Sequence, residues 1–399
     1  MIPELRERFN REFTAEKYAR FLSRLHEVSG TEVKFRVCET PIFIPRDLQA
    51  RMEQAGSELV HQLVGNASYH AASDASIPPE YNVPGESGHP MFIQVDFGLV
   101  RDAAGELQPK LVELQGFPSL YAFQPALSQT YKEVYELGDE LTNFSSELDA
   151  ASYRELLCRV VLGGHDPEQV VLLEIDPLQQ KTLPDFILTS RMCNIETVNI
   201  RTLKKRRNKL YYQSAGREIE IRRIYNRAIV DELVRKQVEL PFDFRDDLDV
   251  EWAGHPNWYF RMSKFSIPFL KHASVPQTWF LDELEHVPND RENYLLKPLY
   301  SFAGSGILFA PTDADIAAIP KERTHDYILQ ERIGFEPTIA TPHGMTQAEI
   351  RIMYIWPDDG ELTPIMTLVR MGRGKMMGVD HNRNLEWVGA SAGLLPLAT

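Results

Sequence analysis

The stretch Tyr294-Leu295-Leu296-Lys297-Pro298-Leu299-Tyr300-Ser301-Phe302-Ala303-Gly304-Ser305-Gly306-Ile307 decides how this chain is read. Apolar residues lead to a lysine, a run of small residues follows at once, and a second apolar segment comes next. The pattern predicts strand, loop, strand. Backbone N–H groups in such a loop can converge on phosphate oxygens, and only small side chains permit that close approach. The lysine at its base adds a full positive charge. A glycine-rich hairpin with a surface lysine has the same local pattern, so the fragment alone leaves both readings open.

The flanking sequence extends the pattern. Lys264 opens a predicted helix that ends at Lys271 and is followed by Val275-Pro276-Gln277-Thr278. Downstream, Tyr327-Ile328-Leu329-Gln330-Glu331-Arg332-Ile333 reads as a strand ending in Gln-Glu. The order lysine, helix, VPxT, LKP strand, glycine loop and Gln-Glu strand resembles the nucleotide site of the ATP-grasp superfamily. That resemblance implies ATP and Mg2+ as cofactors. It makes Lys264 and Lys297 the phosphate lysines and Ser301, Ala303, Gly304, Ser305 and Gly306 the loop over the phosphates. Gln330 and Glu331 would then lie against the nucleoside.

A metal needs hard oxygen ligands, and the N-terminal part supplies an acid pair. Met91 to Val100 and Lys110 to Gln115 read as two strands flanking the turn-forming segment Arg101–Glu106. Alternation puts Glu113 and Gln115 on one face of the second strand, with Asp96 of the first strand across the hairpin. Magnesium takes one or two carboxylates and leaves other positions to water and phosphate. Asp96, Glu113 and Gln115 are therefore the metal candidates. The plainer alternative is an exposed acidic strand face, common in a chain of net charge −14.

A metal hairpin placed before the ATP lysines resembles the circularly permuted ATP-grasp ligases, eukaryotic-type glutathione synthetase and glutathionylspermidine synthetase. Val112-Glu113-Leu114-Gln115 is similar to their Glu-x-Asn element, and Asp96 to the aspartate of the preceding strand. Ile224-Tyr225-Asn226-Arg227 is similar to the Tyr-x-Arg strand of the glutathione type. Leu368-Val369-Arg370 resembles its late strand with a basic end, and Glu386–Gly393 its small-residue lid. The implied fold is α/β (α+β), a circularly permuted ATP-grasp with an inserted small α/β substrate domain. Residues 1–149 would hold the helical and metal-binding part, 150–260 the inserted domain, and 261–399 the ATP-binding part with its lid. Three positions depart from the pattern. Ser301-Phe302-Ala303 stands where those families carry a glutamate, Gln115 replaces Asn, and Gln94 replaces an arginine.

Arg351 and Arg370 are the catalytic candidates, since charge builds on phosphoryl oxygens in such reactions and positioned cations stabilise it. The resemblance implies an ADP-forming carboxylate–amine ligase working through an acyl phosphate, with a small-molecule acid and amine as partners. A non-catalytic nucleotide-binding protein and a phosphotransferase are the alternatives. A homodimer is left open.

Composition narrows the rest. The 399 residues, 43% hydrophobic and 25% charged, suit two or three globular domains. The acidic balance argues against nucleic-acid and anionic-membrane partners, and the basic run Lys204–Arg207 reads as a solvated turn. No apolar stretch approaches the roughly 18 residues of a membrane span, and the N-terminus carries no apolar signal core. Cys38, Cys158 and Cys193 form no CxxC pair, so reduced thiols in the cytoplasm are expected. Gly389-Ala390-Ser391-Ala392-Gly393 fits GxSxG, but the six residues after it contain neither the acid nor the histidine a hydrolase needs. Elsewhere, Tyr18, Phe21, Leu22 and Leu25 predict a helix capped by Thr14 and stopped by Gly30. Val33, Phe35 and Val37 predict a strand, Leu48 to Leu59 a helix after Pro45, and residues 66–90 a long loop.

Overall fold

The computed structural model describes residues 1–299, 306–374, 377–378, 382 and 384–397. Ser301, Ala303, Gly304 and Ser305 of the predicted phosphate loop lie outside the described residues; Gly306 is its described edge.

Helices α1 (Pro3–Glu12) and α2 (Ala15–Ser29) open the chain. The Thr14 side chain accepts the Lys17 N–H at the start of α2, and Gly30, with φ +71°, ends it, as its sequence predicts. The strand expected at Val33–Val37 does not form. Val33 and Val37 are buried against the N-terminal helices, and only Val37 makes an isolated bridge, to Ala390. Their burial is met without a ladder, and the short strand β1 (Ile42–Phe43) pairs in that place instead. Helix α3 (Arg46–Val64) follows Pro45 and buries Leu48, Met52, Ala55 and Leu59. The predicted loop 66–90 contains helix α4 (Ala67–Asp74). Asn66 caps it, and Tyr69 anchors it by burying its ring and donating to the Arg261 carbonyl. One anchoring aromatic leaves no periodicity to read.

Strands β2 (Phe92–Arg101) and β3 (Leu107–Gln115) form the expected antiparallel hairpin. Helix α5 (Phe123–Tyr135) and β4 (Leu141–Thr142) complete this part.

The middle of the chain runs α6 (Ala150–Leu162), β5 (Val170–Glu174), α7 (Leu183–Cys193) and β6 (Glu196–Asn199). Next come β7 (Lys204–Arg206), β8 (Lys209–Ser214) and β9 (Arg217–Ile221). Then follow β10 (Arg223–Asn226), α8 (Val230–Arg235), β11 (Glu251–Ala253) and α9 (Asn257–Arg261). Strands β11-β10-β5-β6 form a parallel sheet in that order, the α/β unit expected for this region. The apolar run in β5 is buried throughout, as a strand covered on both faces must be.

Two details differ from expectation. The basic run is an edge strand, β7, followed by a turn at Arg207 (φ +56°), and acids neutralise it. Lys204 and Arg206 pair with Glu218, and Lys205 with Asp246. The cysteines also differ: Cys158 of α6 and Cys193 of α7 form a disulfide, while Cys38 is a buried free thiol. The two helices pack side by side and bring the Cα atoms to 5.1 Å, a proximity that sequence spacing does not encode.

After α9, the predicted helix at Lys264 is a 3-10 turn, Lys264–Phe269, because Pro268 cannot continue an α-helix. Strands β12 (Thr278–Phe280), β13 (Tyr294–Pro298), β14 (Leu308–Phe309) and β15 (Tyr327–Glu331), with helix α10 (Asp313–Ala317), build a small antiparallel lobe in the order β12-β15-β13-β14. The last strands are β16 (Ile339–Thr341), β17 (Gly344–Ile355), β18 (Thr363–Gly372) and β19 (Gly389–Pro396). They join the N-terminal strands in one sheet, ordered β1-β19-β18-β17-β2-β3. The predicted segments 1–149 and 261–399 thus share a sheet. The stretch expected to act as a lid is largely β19, an interior strand paired with β18 and β1.

One face of this large sheet is apolar. Ile93, Val95 and Phe97 of β2 and Ile350 and Ile352 of β17 pack under α3 in a shared core. The opposite face carries the polar residues described next.

The disulfide closes a loop between positions 35 residues apart. A loop of that size stabilises the folded state by roughly 3–4 kcal/mol through the unfolded chain. Reduction should lower the denaturation midpoint accordingly, and the Cys158→Ser/Cys193→Ser double variant should match the reduced protein. Under native, non-reducing conditions, alkylation followed by mass spectrometry should find no reactive thiol.

Candidate functional site

The site is built on strand register. Glu113 of β3 pairs with Asp96 of β2, and Asp96 pairs with Arg351 of β17, so three charged residues lie in a row across three strands. The adjacent pair Glu349 and Arg370 joins β17 to β18. A bulge makes this possible. Between Asp96 and Phe97 the register shifts so that Val112 has no ladder partner. Leu111 and Leu114 therefore both reach the core, while Glu113 and Gln115 stay on the polar face. Next to them, Gly98 leaves room for the Phe335 ring, which a Cβ there would meet at 2.8 Å.

Asp96 is the centre of the network and is fully buried. Arg351 grips it with two parallel hydrogen bonds, Nε to Oδ1 at 2.5 Å and Nη2 to Oδ2 at 2.6 Å. Its remaining nitrogen, Nη1, donates to Gln94 Oε1 at 2.5 Å. Arg370 Nη1 donates to Asp96 Oδ2 at 3.0 Å and also to Glu349. Burial alone would raise the Asp96 carboxyl; the two guanidinium groups overcome it and hold it below the usual carboxylate range. Glu349 moves the other way, pushed up by burial, with Asp96 and Glu113 adding repulsion. Arg370 is half-buried and is held more basic than usual by Asp96 and Glu349.

The small antiparallel lobe brings one lysine, and the turn before it brings the other. Lys297, on β13, is buried, and its Nζ donates to Gln330 Oε1 of β15 at 2.5 Å. Burial pushes its pKa down to about 8, against the pull of Glu113. Lys264 starts the 3-10 turn and donates to the Leu299 carbonyl at 3.4 Å. Its ammonium is also lowered by burial and faces Glu113 and Asp231. Glu331 follows Gln330 and points away from Lys297; its carboxylate accepts the Gln277 N–H. The structure thus brings together Lys264, Lys297, Gln330, Asp96, Glu113, Gln115, Arg351 and Arg370, and sets the Glu331 side chain apart, on the β12 side.

Two site residues escaped the sequence reading. Glu349 lies on β17, where it alternates with Arg351 and so shares its face. Gln94 was noted only as a departure, yet its side chain links Arg351 to the Ser119 carbonyl. The middle α/β unit also reaches this region. Arg227, just after β10, donates to the Pro118 carbonyl beyond β3 and lies over the Phe117 ring.

Four cationic side chains (Lys264, Lys297, Arg351, Arg370) are gathered with Asp96, Glu113 and Glu349, and Asp231 faces Lys264. Such a group of cations suits a phosphate-bearing ligand. Among the described residues, no three His, Cys, Asp or Glu side chains assemble as a metal cage. Both Asp96 oxygens already serve arginines. Glu113 is partly exposed and accepts the Gln115 Nε2 at 2.6 Å, which leaves the Gln115 amide oxygen outside that bond. One carboxylate with one amide oxygen fits a magnesium ion that takes its other ligands from water and phosphate.

No family sequence model matches the chain, and no curated protein matches it. Among solved structures it is similar to a glutathione synthetase-like effector from Globodera pallida in its apo form. That likeness has a TM-score of 0.61 at 10% identity and covers 96% of each chain. The chain therefore has a glutathione synthetase-like fold. No described helix is long and apolar enough to cross a membrane.

Removing Asp96 tests the network. Asp96→Ala leaves Arg351 without its carboxylate in a buried site, which should cost about 3–5 kcal/mol in chemical denaturation. The Asp96→Leu/Arg351→Met pair should recover part of that loss, because both buried charges go together.

Proposed function

We propose that this protein is an ATP-dependent carboxylate–amine ligase, ADP-forming, on a circularly permuted ATP-grasp fold. The observation that carries this reading is that Lys264, from the turn before the small lobe, and Lys297, held by Gln330 within it, both lie within electrostatic reach of Glu113, with Arg351 and Arg370 anchored by Asp96. Lys297 and Lys264 bind phosphate oxygens of ATP. Gln330 orients Lys297 through its 2.5 Å hydrogen bond. Glu113 and Gln115 hold the magnesium ion, which when bound neutralises phosphate charge. Arg370, at the edge of the network, stabilises charge on the transferring phosphoryl group and on the carboxylate it activates. Asp96 and Gln94 hold Arg351 in one orientation, so that its field is set before substrate arrives. The substrate carboxylate would take the γ-phosphoryl group as ADP leaves, and the amine would then displace inorganic phosphate from the acyl phosphate and lose a proton to give the amide.

A second reading is favoured by one observation: Asp96 is saturated by two arginines. A nucleotide-binding protein without turnover would tolerate that arrangement. The two readings separate in one assay. The wild-type protein is incubated with ATP, Mg2+ and pools of amino acids, small peptides and polyamines, and ADP and phosphate are measured. The ligase reading expects ADP release that needs both an acid and an amine. Glu113→Ala should abolish it while retaining nucleotide binding. ATP binding with no stimulated release from any pool would select the non-catalytic reading.

Lys297 gives a pH signature. In the free protein its ammonium loses its proton near pH 8, and bound phosphate favours the protonated form. Nucleotide affinity should therefore fall as pH rises above about 8, by up to about tenfold per pH unit. Calorimetry in buffers of different ionisation enthalpy should show proton uptake on binding at pH 9. Lys297→Met should weaken binding at pH 7 and remove the uptake.

A further inference from the structure

A cleft of about 390 Å³ opens between the turn Pro79–Tyr81, helix α8 and Phe260 of α9. This volume lies in the range of small-molecule sites. Its position matters as much as its size. Helix α8 follows the carboxyl end of β10, and α9 follows that of β11. Strand β5 pairs with β6 on one side and β10 on the other, so the parallel sheet reverses its strand order beside β10. Open parallel sheets bind ligands outside the carboxyl ends of their strands, at such a reversal.

The chemistry of the walls selects the ligand. Tyr81, Val230, Val234 and Phe260 give an apolar lining. Asp231 is half-buried in the wall, and Glu80 sits at the rim. Arg235 lines the cleft as well, but its guanidinium is paired with Glu232 at 3.8 Å and is largely exposed. The cleft also leads to the site already described. Asp231 acts electrostatically on the Tyr259 hydroxyl and on Lys264, and Glu113 acts on both as well. Asp231 thus lines the cleft and lies within electrostatic reach of Lys264.

We propose that this cleft seats the amine substrate, an alkyl amine whose ammonium group is held by Asp231 and whose methylenes lie on Val230, Val234 and Phe260. That role rests on the ligase reading; the binding of an amine does not. An acid substrate would meet two carboxylates here, and its place is with the arginines of the sheet.

The test uses the full-length protein and two probes of opposite charge, hexylamine and hexanoate, followed by ligand-observed NMR titration. Hexylamine should bind the wild type in preference to hexanoate. Its dissociation constant should rise about tenfold or more in Asp231→Asn, the loss expected for one charged hydrogen bond. It should rise similarly in Val234→Trp, which fills the cleft from a position 58% exposed and so leaves the core intact. Equal binding of hexanoate, no binding of hexylamine, or binding unmoved by both substitutions overturns the proposal. The outcomes stay separable from those of the ligase reading. Selective hexylamine binding without amine-stimulated ADP release keeps the cleft and rejects the ligase. Amine-stimulated release with hexylamine binding unmoved by both substitutions does the reverse.

Discussion

The double hydrogen bond between Arg351 and Asp96 is the constraint on which the site depends. It joins β17 to β2 across a polar row buried beneath the small lobe. A buried ion pair is costly to assemble, because both partners give up water, and well-packed apolar residues of the same volume are often at least as stable. The network offsets that cost only by being nearly complete. Gln94 takes the third Arg351 nitrogen, Arg370 shares Asp96, and Glu349 balances Arg370. Removing any one member leaves an exposed demand on the others. Stability alone gives no reason to build such a row; preset charge facing a ligand does.

That row also explains how the two ends of the chain cooperate. Asp96 and Glu113 come from the N-terminal hairpin, and Arg351 and Arg370 from strands more than two hundred positions later. Sheet register, not sequence proximity, brings them into line. The Val112 bulge then turns Glu113 and Gln115 toward the lysines while keeping Leu111 and Leu114 in the core. Without it, one side or the other would present the wrong face, since strand side chains alternate.

Much of this was legible in the residues, and the reasons for the failures are specific. The Lys297 strand and the Gln330 strand could be read because a buried lysine between apolar residues, a small-residue loop and a returning apolar strand leave a strong local pattern. The Asp96–Glu113 pairing could be read because a hairpin fixes its own register within a few residues. The Arg351–Asp96 bond could not: its partners meet only after β17 docks, and no local signal marks which strand Arg351 will face. The same holds for Cys158 and Cys193, whose meeting follows from the packing of α6 on α7. Helix α4 hid behind Ser, His and Ala residues with a single buried tyrosine. The lid expected at Glu386–Gly393 is largely strand β19. Small side chains also suit a strand that must pass close to its neighbours: a Cβ at Gly393 would meet Ile44 at 2.8 Å and Thr367 at 2.9 Å. Small residues permit close approach to a phosphate or to a sheet, and composition alone does not tell which.

The middle α/β unit is then more than an appendage. Its Arg227 reaches the Pro118 carbonyl just beyond the β3 end that carries Glu113 and Gln115, and Gln94 holds the neighbouring Ser119 carbonyl. The segment 117–119 is thus clasped from both sides, by the parallel sheet and by the charged row. A shift of the α/β unit therefore has to move the segment that follows the proposed metal ligands. The cleft beside α8 and Glu113 are joined through this clasp and through Tyr259, on which Asp231 acts and whose ring packs on Phe117. The physical consequence is that the proposed amine cleft and the proposed metal ligands share one short stretch of backbone, the turn that leaves β3.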